Sequence, residues 1–236
     1  MKRFYKDVAT SPAEGGWQVT LDGRGVKTPA RTPQVAPTRA LAEALAHEWA
    51  AQGEKIDATT LPMRDLADYA IDVVAADRTA LIETLLGYAE TDTLCYRADP
   101  EDALFRRQQE VWEPLLQSIE AEHAIRLERV SGVIHRPQPE TSLATLRAVL
   151  AALDNYTLAA LNTLTSLAAS LAVGLAALRP DADTNALWDA ASLEEDWQAE
   201  LWGQDSEAMA RRALRLETFR LASRFAALAR QVDQGV

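Results

Sequence analysis

Two adjacent glutamates, Glu194 and Glu195, stand in a run from Leu193 to Asp205 that also holds Asp196, Gln198, Glu200, Trp197 and Trp202. Paired carboxylates can divide acid and base work when their environments set their pKa values apart. Neighbours on a helix diverge by about 100°, however, and nothing else in the run would separate these two. Other reactive groups are scattered. His47, His123 and His135 have no metal-type spacing with one another or with Cys95, so they read as surface or core-edge histidines and no metal site is expected. Cys95, between Leu94 and Tyr96, reads as a buried inert thiol. Neither G-x-x-x-x-G-K-[ST] nor G-x-G-x-x-G occurs, so no phosphate cradle is expected, and Asp22-Gly23-Arg24-Gly25 reads as a turn. The residues therefore assign no catalytic group and no cofactor. A rival reading keeps catalysis open: a helical enzyme acting on a small molecule at the interdomain cleft, with Glu194 and Asp92 as its acids.

The same run is better suited to contact than to chemistry. Wound at about 100° per residue, Ala186, Ala190, Leu193, Trp197 and Leu201 fall on one stripe, which predicts a core face anchored by Trp197. Trp197→Ala should then open a core cavity worth about 3–5 kcal/mol. Glu194, Glu195, Gln198 and Trp202 fall within about a 100° arc beside that stripe, and Gly203 ends the helix. An aromatic framed by polar groups is a common composition for a partner-binding surface. The plainer alternative has Trp202 covering the core edge with the acids solvated. Trp17, Trp49, Trp112 and Trp188 sit among aliphatic neighbours and read as core.

The first third mixes short strands and turns. Trp17–Leu21 alternates as a half-buried strand, Asp22-Gly23 supplies turn residues, and Val26–Thr28 is the expected return. Phe4–Val8 is a further strand candidate. Thr38 is the expected N-cap of a helix over 39–52, closed by Gly53. Thr59 or Thr60 begins a second helical region, with Pro62 early in it, that runs to about Gly87 with Leu66, Tyr69, Ala70, Val73 and Val74 inward. Thr91–Tyr96 reads as a strand or extended connection. A helix begins at Asp99-Pro100 and carries Pro114. Ile125–Val133 alternates as a strand, and segments 141–153, 155–178, 183–202 and 205–231 read as helices.

The 236 residues are 48% hydrophobic and 25% charged, the balance of a soluble globular protein. The apolar run from Leu158 to Leu178 contains Asn162, Thr163, Thr165, Ser166 and Ser170, so it reads as a central buried helix and no membrane insertion is expected. A net charge of −11 disfavours nucleic acid or an anionic membrane as partner. The arginines between Arg211 and Arg230 are expected to pair with acids of neighbouring helices. One cysteine excludes an internal disulfide and fits a reducing compartment.

Several segments together resemble one family, the assembly chaperones of F-type ATP synthase that bind the alpha subunit of the F1 head. The matching pieces are Leu21-Asp22-Gly23-Arg24 with Val26-Lys27-Thr28-Pro29-Ala30, Leu41-Ala42-Glu43-Ala44, and Glu48-Trp49-Ala50-Ala51-Gln52. They continue with Ile56-Asp57, Leu61-Pro62-Met63, Asp92-Thr93-Leu94-Cys95-Tyr96-Arg97-Ala98, and Trp112-Glu113-Pro114-Leu115. Glu194–Glu200 with Trp202-Gly203-Gln204-Asp205 completes the set, in the family's order and across nearly the whole chain. Leu201 departs from a basic residue that the family prefers before Trp-Gly.

The resemblance implies an α+β fold, a small N-terminal strand-rich α+β domain followed by a mainly helical orthogonal bundle. With the order of elements above, this divides the chain into 1–60 and 61–236, and the alternation near 125–133 makes that strand a candidate to rejoin the first domain. The resemblance also implies a chaperone without catalysis or cofactor, which holds newly made alpha subunit, prevents its aggregation and is released when beta subunit associates. The implied partner-binding residues are Glu194, Glu195, Gln198 and Trp202, on a chain expected to be monomeric. The opening Met1–Val8 lacks a signal core, so a bacterial cytoplasm is expected, or the mitochondrial matrix for a processed organellar relative.

Overall fold

The computed structural model describes residues 1–132, 136–203 and 205–231; His135, Val133 at the end of the expected strand, and Gln204 lie outside them. Contacts divide the chain into two units. The first comprises Met1–Arg78, Asp154–Ala160 and the described part of Arg224–Val236, and the second comprises Thr79–Leu153 and Leu161–Ser223. The strand-rich unit thus runs past residue 60 and takes in two later helical pieces.

Its sheet is antiparallel. β1 (Val8–Ala13) pairs with β2 (Gly16–Leu21) along its full length, while β3 (Arg24–Gly25) and β4 (Val35–Ala36) divide the other edge of β2. Leu21 faces Arg24 in register, which leaves Asp22-Gly23 as a two-residue loop. Both have positive φ, 49° and 76°, the geometry that matches strand twist in a tight hairpin. The Asp22 carboxylate also accepts from the Lys6 and Asp7 amides at 3.0 and 2.8 Å. These amides are therefore turned to a side chain, and the strand expected over Phe4–Val8 begins only at Val8.

α1 (Arg39–Ala50) starts where expected. The Thr38 hydroxyl accepts from the Leu41 amide at 3.1 Å, and Leu41, Leu45 and Trp49 are buried. α2 (Pro62–Tyr69) passes into a π turn over Ala70–Val74. That wide turn adds a residue to the helical repeat and changes its facing. Ala70 and Val74 stay buried, but Val73 is exposed, contrary to the expected stripe.

In the second unit α3 (Arg78–Glu90) leads through a 3-10 turn (Thr93–Cys95) to β5 (Tyr96–Arg97) and α4 (Ala103–His123). The strand expected over 125–133 shrinks to β6 (Val130–Ser131). It pairs in parallel with β5, and among the described residues it makes no pairing with the N-terminal sheet. Buried Arg97 explains why this pair stays beside α4. Its guanidinium donates to the Gln108 carbonyl at 2.9 Å and to Glu113 at 3.2 Å, and Arg129 grips Glu113 and Glu120 in turn. α5 (Glu140–Ala152) follows.

The single helix expected over 155–178 is two: α6 (Asn155–Ala168) and α7 (Leu171–Ala176). Ala169 between them is left-handed (φ 49°), and Ser170 caps α7 by accepting from the Val173 amide at 3.1 Å. Every residue of α7 is buried. The helix expected over 183–202 is likewise two, α8 (Thr184–Ala191) and α9 (Leu193–Trp202), before α10 (Ser206–Ala229). Among the described residues, no helix is long and apolar enough to cross a membrane.

Candidate functional site

α9 is assembled from local signals. Glu194, Glu195 and Asp196 occupy its first turn, where the unpaired amides favour negative charge. Gly203, at φ 93°, ends it, with its amide on the Ala199 carbonyl at 2.9 Å. Trp112 supports the end of the preceding helix: it is fully buried, and its indole N–H donates to the Ala190 carbonyl at 2.7 Å.

The helix is interrupted at Ser192 (φ −94°, ψ 6°), and the stripe projected through Ala186, Ala190, Leu193, Trp197 and Leu201 is buried only in its middle. Ala190 and Leu193 are buried on either side of the break, whereas Ala186 is exposed. Trp197 is only half-buried, with the Arg107 guanidinium 5.9 Å from its ring centroid. Leu201 is 58% exposed and Trp202 78%. The core anchor expected at Trp197 is therefore overturned, and the cost of Trp197→Ala falls below that of a fully buried ring.

Each acid has a different setting. Glu194 is half-buried and accepts from the Gln108 side-chain amide at 2.7 Å; burial raises its carboxyl pKa, and that hydrogen bond partly opposes the rise. Gln108 is itself buried and accepts from the Ala98 amide at 2.8 Å. Glu194 thus ends an internal polar chain. Asp196 pairs with Arg212 at 2.8 Å, and Glu200 accepts both terminal nitrogens of Arg107 at 3.1 Å. Glu195 is the most loosely held, exposed and 3.7 Å from Arg215. Gln198 is exposed. The accessible group of the expected four is Glu195, Gln198 and Trp202, joined by Leu201, while Glu194 is turned partly into its own protein. Arg107, Arg212 and Gln108 carry no sequence signal for these contacts, because separations of 16 to 93 residues have no helical periodicity.

A family model for the ATP12 chaperone protein matches residues 2–120 of this chain. The solved structure of Atp12 from Paracoccus denitrificans superposes with a TM-score of 0.92 at 41% identity, covering 97% of this chain and 98% of that one. The chain belongs to the ATP12 chaperone family. This is the family of F1 ATP synthase assembly chaperones that the motifs resemble. An Asp-to-Lys variant of the Paracoccus protein superposes equally, with the same TM-score, identity and coverage. Protein atp12, mitochondrial, of Schizosaccharomyces pombe is 26% identical over 221 residues, 88% of this chain and 75% of that relative.

In this ATP12-family chain the other groups weighed for chemistry occupy structural positions. Asp92 is 1% exposed, and its two oxygens accept from the Leu94 and Ala172 amides at 3.1 and 3.0 Å. Burial raises its pKa to about 6, against the lowering effect of those amides and of Ser170. The Cys95 thiol is buried and its pKa is pushed up, chiefly by burial and then by Asp92. His47 is exposed and His123 half-buried, 3.9 Å from Glu122. Among the described residues, no three His, Cys, Asp or Glu side chains form a group able to hold a metal ion. Of the arginines in α10, Arg212 pairs with Asp189 of α8 and Asp196 of α9, and Arg215 approaches Glu195 of α9. Arg211 and Arg220 pair with Glu207 and Glu217 of α10 itself, so the expected pairing with neighbouring helices holds only in part.

Proposed function

We propose that this chain holds newly made alpha subunit of F1 ATP synthase through the outward side of α9 and gives it up when beta subunit arrives. The observation that carries this reading is the exposure of Trp202 and Leu201 beside Glu195 and Gln198, in a member of a chaperone family. Two large apolar side chains in water are unfavourable unless a partner covers them, and an aromatic among polar groups is typical of the residues that carry binding energy. A temporary partner needs a contact that competition can undo. A mixed apolar and charged surface meets that need better than an oily obligate one. The loose Arg215 contact leaves the Glu195 carboxylate available to a basic group, whereas Asp196 and Glu200 are engaged by arginines of this chain. The proposed site of action is the bacterial cytoplasm, or the mitochondrial matrix in organellar relatives.

Co-purification with tagged alpha subunit tests the reading. Trp202→Ala should reduce capture about thirtyfold, the effect of losing ~2 kcal/mol. Glu195→Lys should reduce it about tenfold, with circular dichroism unchanged in both variants. Added beta subunit should elute wild-type chaperone. Undiminished capture by both folded variants removes α9 from the contact, and a wild-type chain that never retains alpha subunit ends the holding role.

A further inference from the structure

The start of α10 is as bare as the end of α9. Every residue from Ser206 to Arg211 is exposed, although the same helix buries Phe219, Ala222, Phe225 and Ala226 further on. Glu195 meets Arg215 at 3.7 Å and Asp196 meets Arg212 at 2.8 Å, so the two helices run antiparallel. Only three residues separate Trp202 from Ser206, which sets the first turn of α10 beside the last turn of α9. Met209 lies in that first turn. It stands three residues before Arg212 and seven before half-buried Leu216, on the side of α10 that faces its neighbours, yet it is 54% exposed. Leu201, Trp202 and Met209 thus form one apolar tip, built from two helices, that the described residues leave uncovered.

Apolar side chains gathered in water are unfavourable until something covers them, and the surrounding charge decides what can. Residues 193–210 hold six Asp and Glu and no Lys or Arg. Four arginines reach these acids from outside the stretch: Arg107 holds Glu200, Arg211 holds Glu207, Arg212 holds Asp196, and Arg215 approaches Glu195. Six acids against four arginines leave the tip negative. It also belongs to the negative part of the chain, since residues 79–236 carry 24 Asp and Glu against 14 Lys and Arg. A second copy of this chain would bring the same sign of charge to the contact, and like charges across an interface cost affinity. A cationic partner gains from the same field. The Glu207–Arg211 pair is an exposed i,i+4 contact, too weak to withhold Glu207 from a better partner.

We propose that the α9–α10 tip seats Leu201, Trp202 and Met209 in an apolar socket on the alpha subunit, and that Lys or Arg side chains at the rim of the socket meet Glu195 and Glu207. The proposal rests on the α9 reading and adds to it a second helix and the chemistry of the client's surface.

Equilibrium capture of alpha subunit by the full chain tests both additions. Met209→Gln keeps side-chain length and helix propensity and should weaken capture about fivefold. Leu214→Gln is the control: Leu214 is 69% exposed but lies about 160° round α10 from Arg212, and its loss should leave capture unchanged. Glu195→Gln/Glu207→Gln removes two exposed charges and should weaken capture about tenfold, and it should flatten the fall of wild-type affinity with added salt. Circular dichroism should be the same for all of these variants. Full capture by Met209→Gln, or an equal loss in Leu214→Gln, removes α10 from the contact. Wild-type affinity that does not fall with salt, or undiminished capture by the neutralised variant, overturns the cationic rim. A wild-type dimer in size-exclusion chromatography that Trp202→Ala converts to monomer would show a second copy covering the tip and would also overturn the proposal. Each of these failures is compatible with reduced capture by Trp202→Ala, whereas failure of the α9 reading shows as full capture by both Trp202→Ala and Glu195→Lys.

Discussion

α7 and α9 are short helices of the same unit, each preceded by a serine, and they treat it in opposite ways. Ser170 caps α7 with its hydroxyl, whereas Ser192 makes no side-chain cap for α9. All six residues of α7 are buried; in α9 only Leu193 is, and Leu201 and Trp202 face water. Near α7 even the buried carboxylate of Asp92 is satisfied by amides of two segments. Along α9 the acids are held by side chains of other helices, with Glu195 only loosely engaged. The difference separates what keeps the unit folded from what it presents outward, and elements that present surface are drawn from the less stable end of a structure.

The largest test of this contrast uses the same substitution in both helices. Leu171→Ala, at a site 1% exposed, should cost about 3–4 kcal/mol in urea unfolding, while Leu201→Ala should change stability by less than about 0.5 kcal/mol. Comparable losses would erase the distinction.

pH gives the next effect. With its folded pKa raised to about 6, Asp92 is favoured neutral in the native state. Its stabilising contribution is fully present below its ordinary value of 3.8 and is lost as pH rises through about 6. Unfolding free energy should fall over that window by on the order of 3 kcal/mol from this group alone. A pH series on wild type and Asp92→Asn should show the fall flattened in the variant, which is also weaker at acid pH because an amide N–H would face backbone donors. Identical pH slopes would mean that Asp92 is not enclosed as described.

Gly174→Ala sharpens the comparison further. An added Cβ would lie 2.4 Å from the Thr165 hydroxyl oxygen and 3.0 Å from a Leu161 methyl, so about 1–3 kcal/mol should be lost despite alanine's better helix propensity. The two glutamates of α9 should separate from each other. Glu194→Lys should cost about 1–3 kcal/mol, because it breaks the bond to buried Gln108, and Glu195→Lys should fall within about 0.5 kcal/mol. Equal thermal denaturation of the two glutamate variants would contradict their different placement.

The elements with chemical punctuation were readable from sequence. Asp22-Gly23 marked the hairpin, Thr38 the start of α1, and Gly203 the end of α9, because each residue type has a local conformational reason to be there. The missed breaks lack such marks. Ala169 adopts a left-handed conformation that alanine disfavours, so packing and the Thr93 hydrogen bonds to its carbonyl, at 3.2 and 2.9 Å, must hold it. Ser192 interrupts a sequence with uninterrupted helical periodicity. The exposed aromatic at Trp202 was legible for the opposite reason: it depends on the glycine just after it.

Cys95 has one more consequence. The chain has a single sulfhydryl, and it lies with no exposed surface beside Asp92, its ionised form suppressed by burial and by that neighbouring carboxylate. A maleimide dye reacts with thiolate, so it can label this protein only while the wall around Cys95 is open. One covalent mark per molecule then serves as a clock for that opening, and comparing its rate with and without a bound client would reveal whether holding a partner at the surface also steadies the interior.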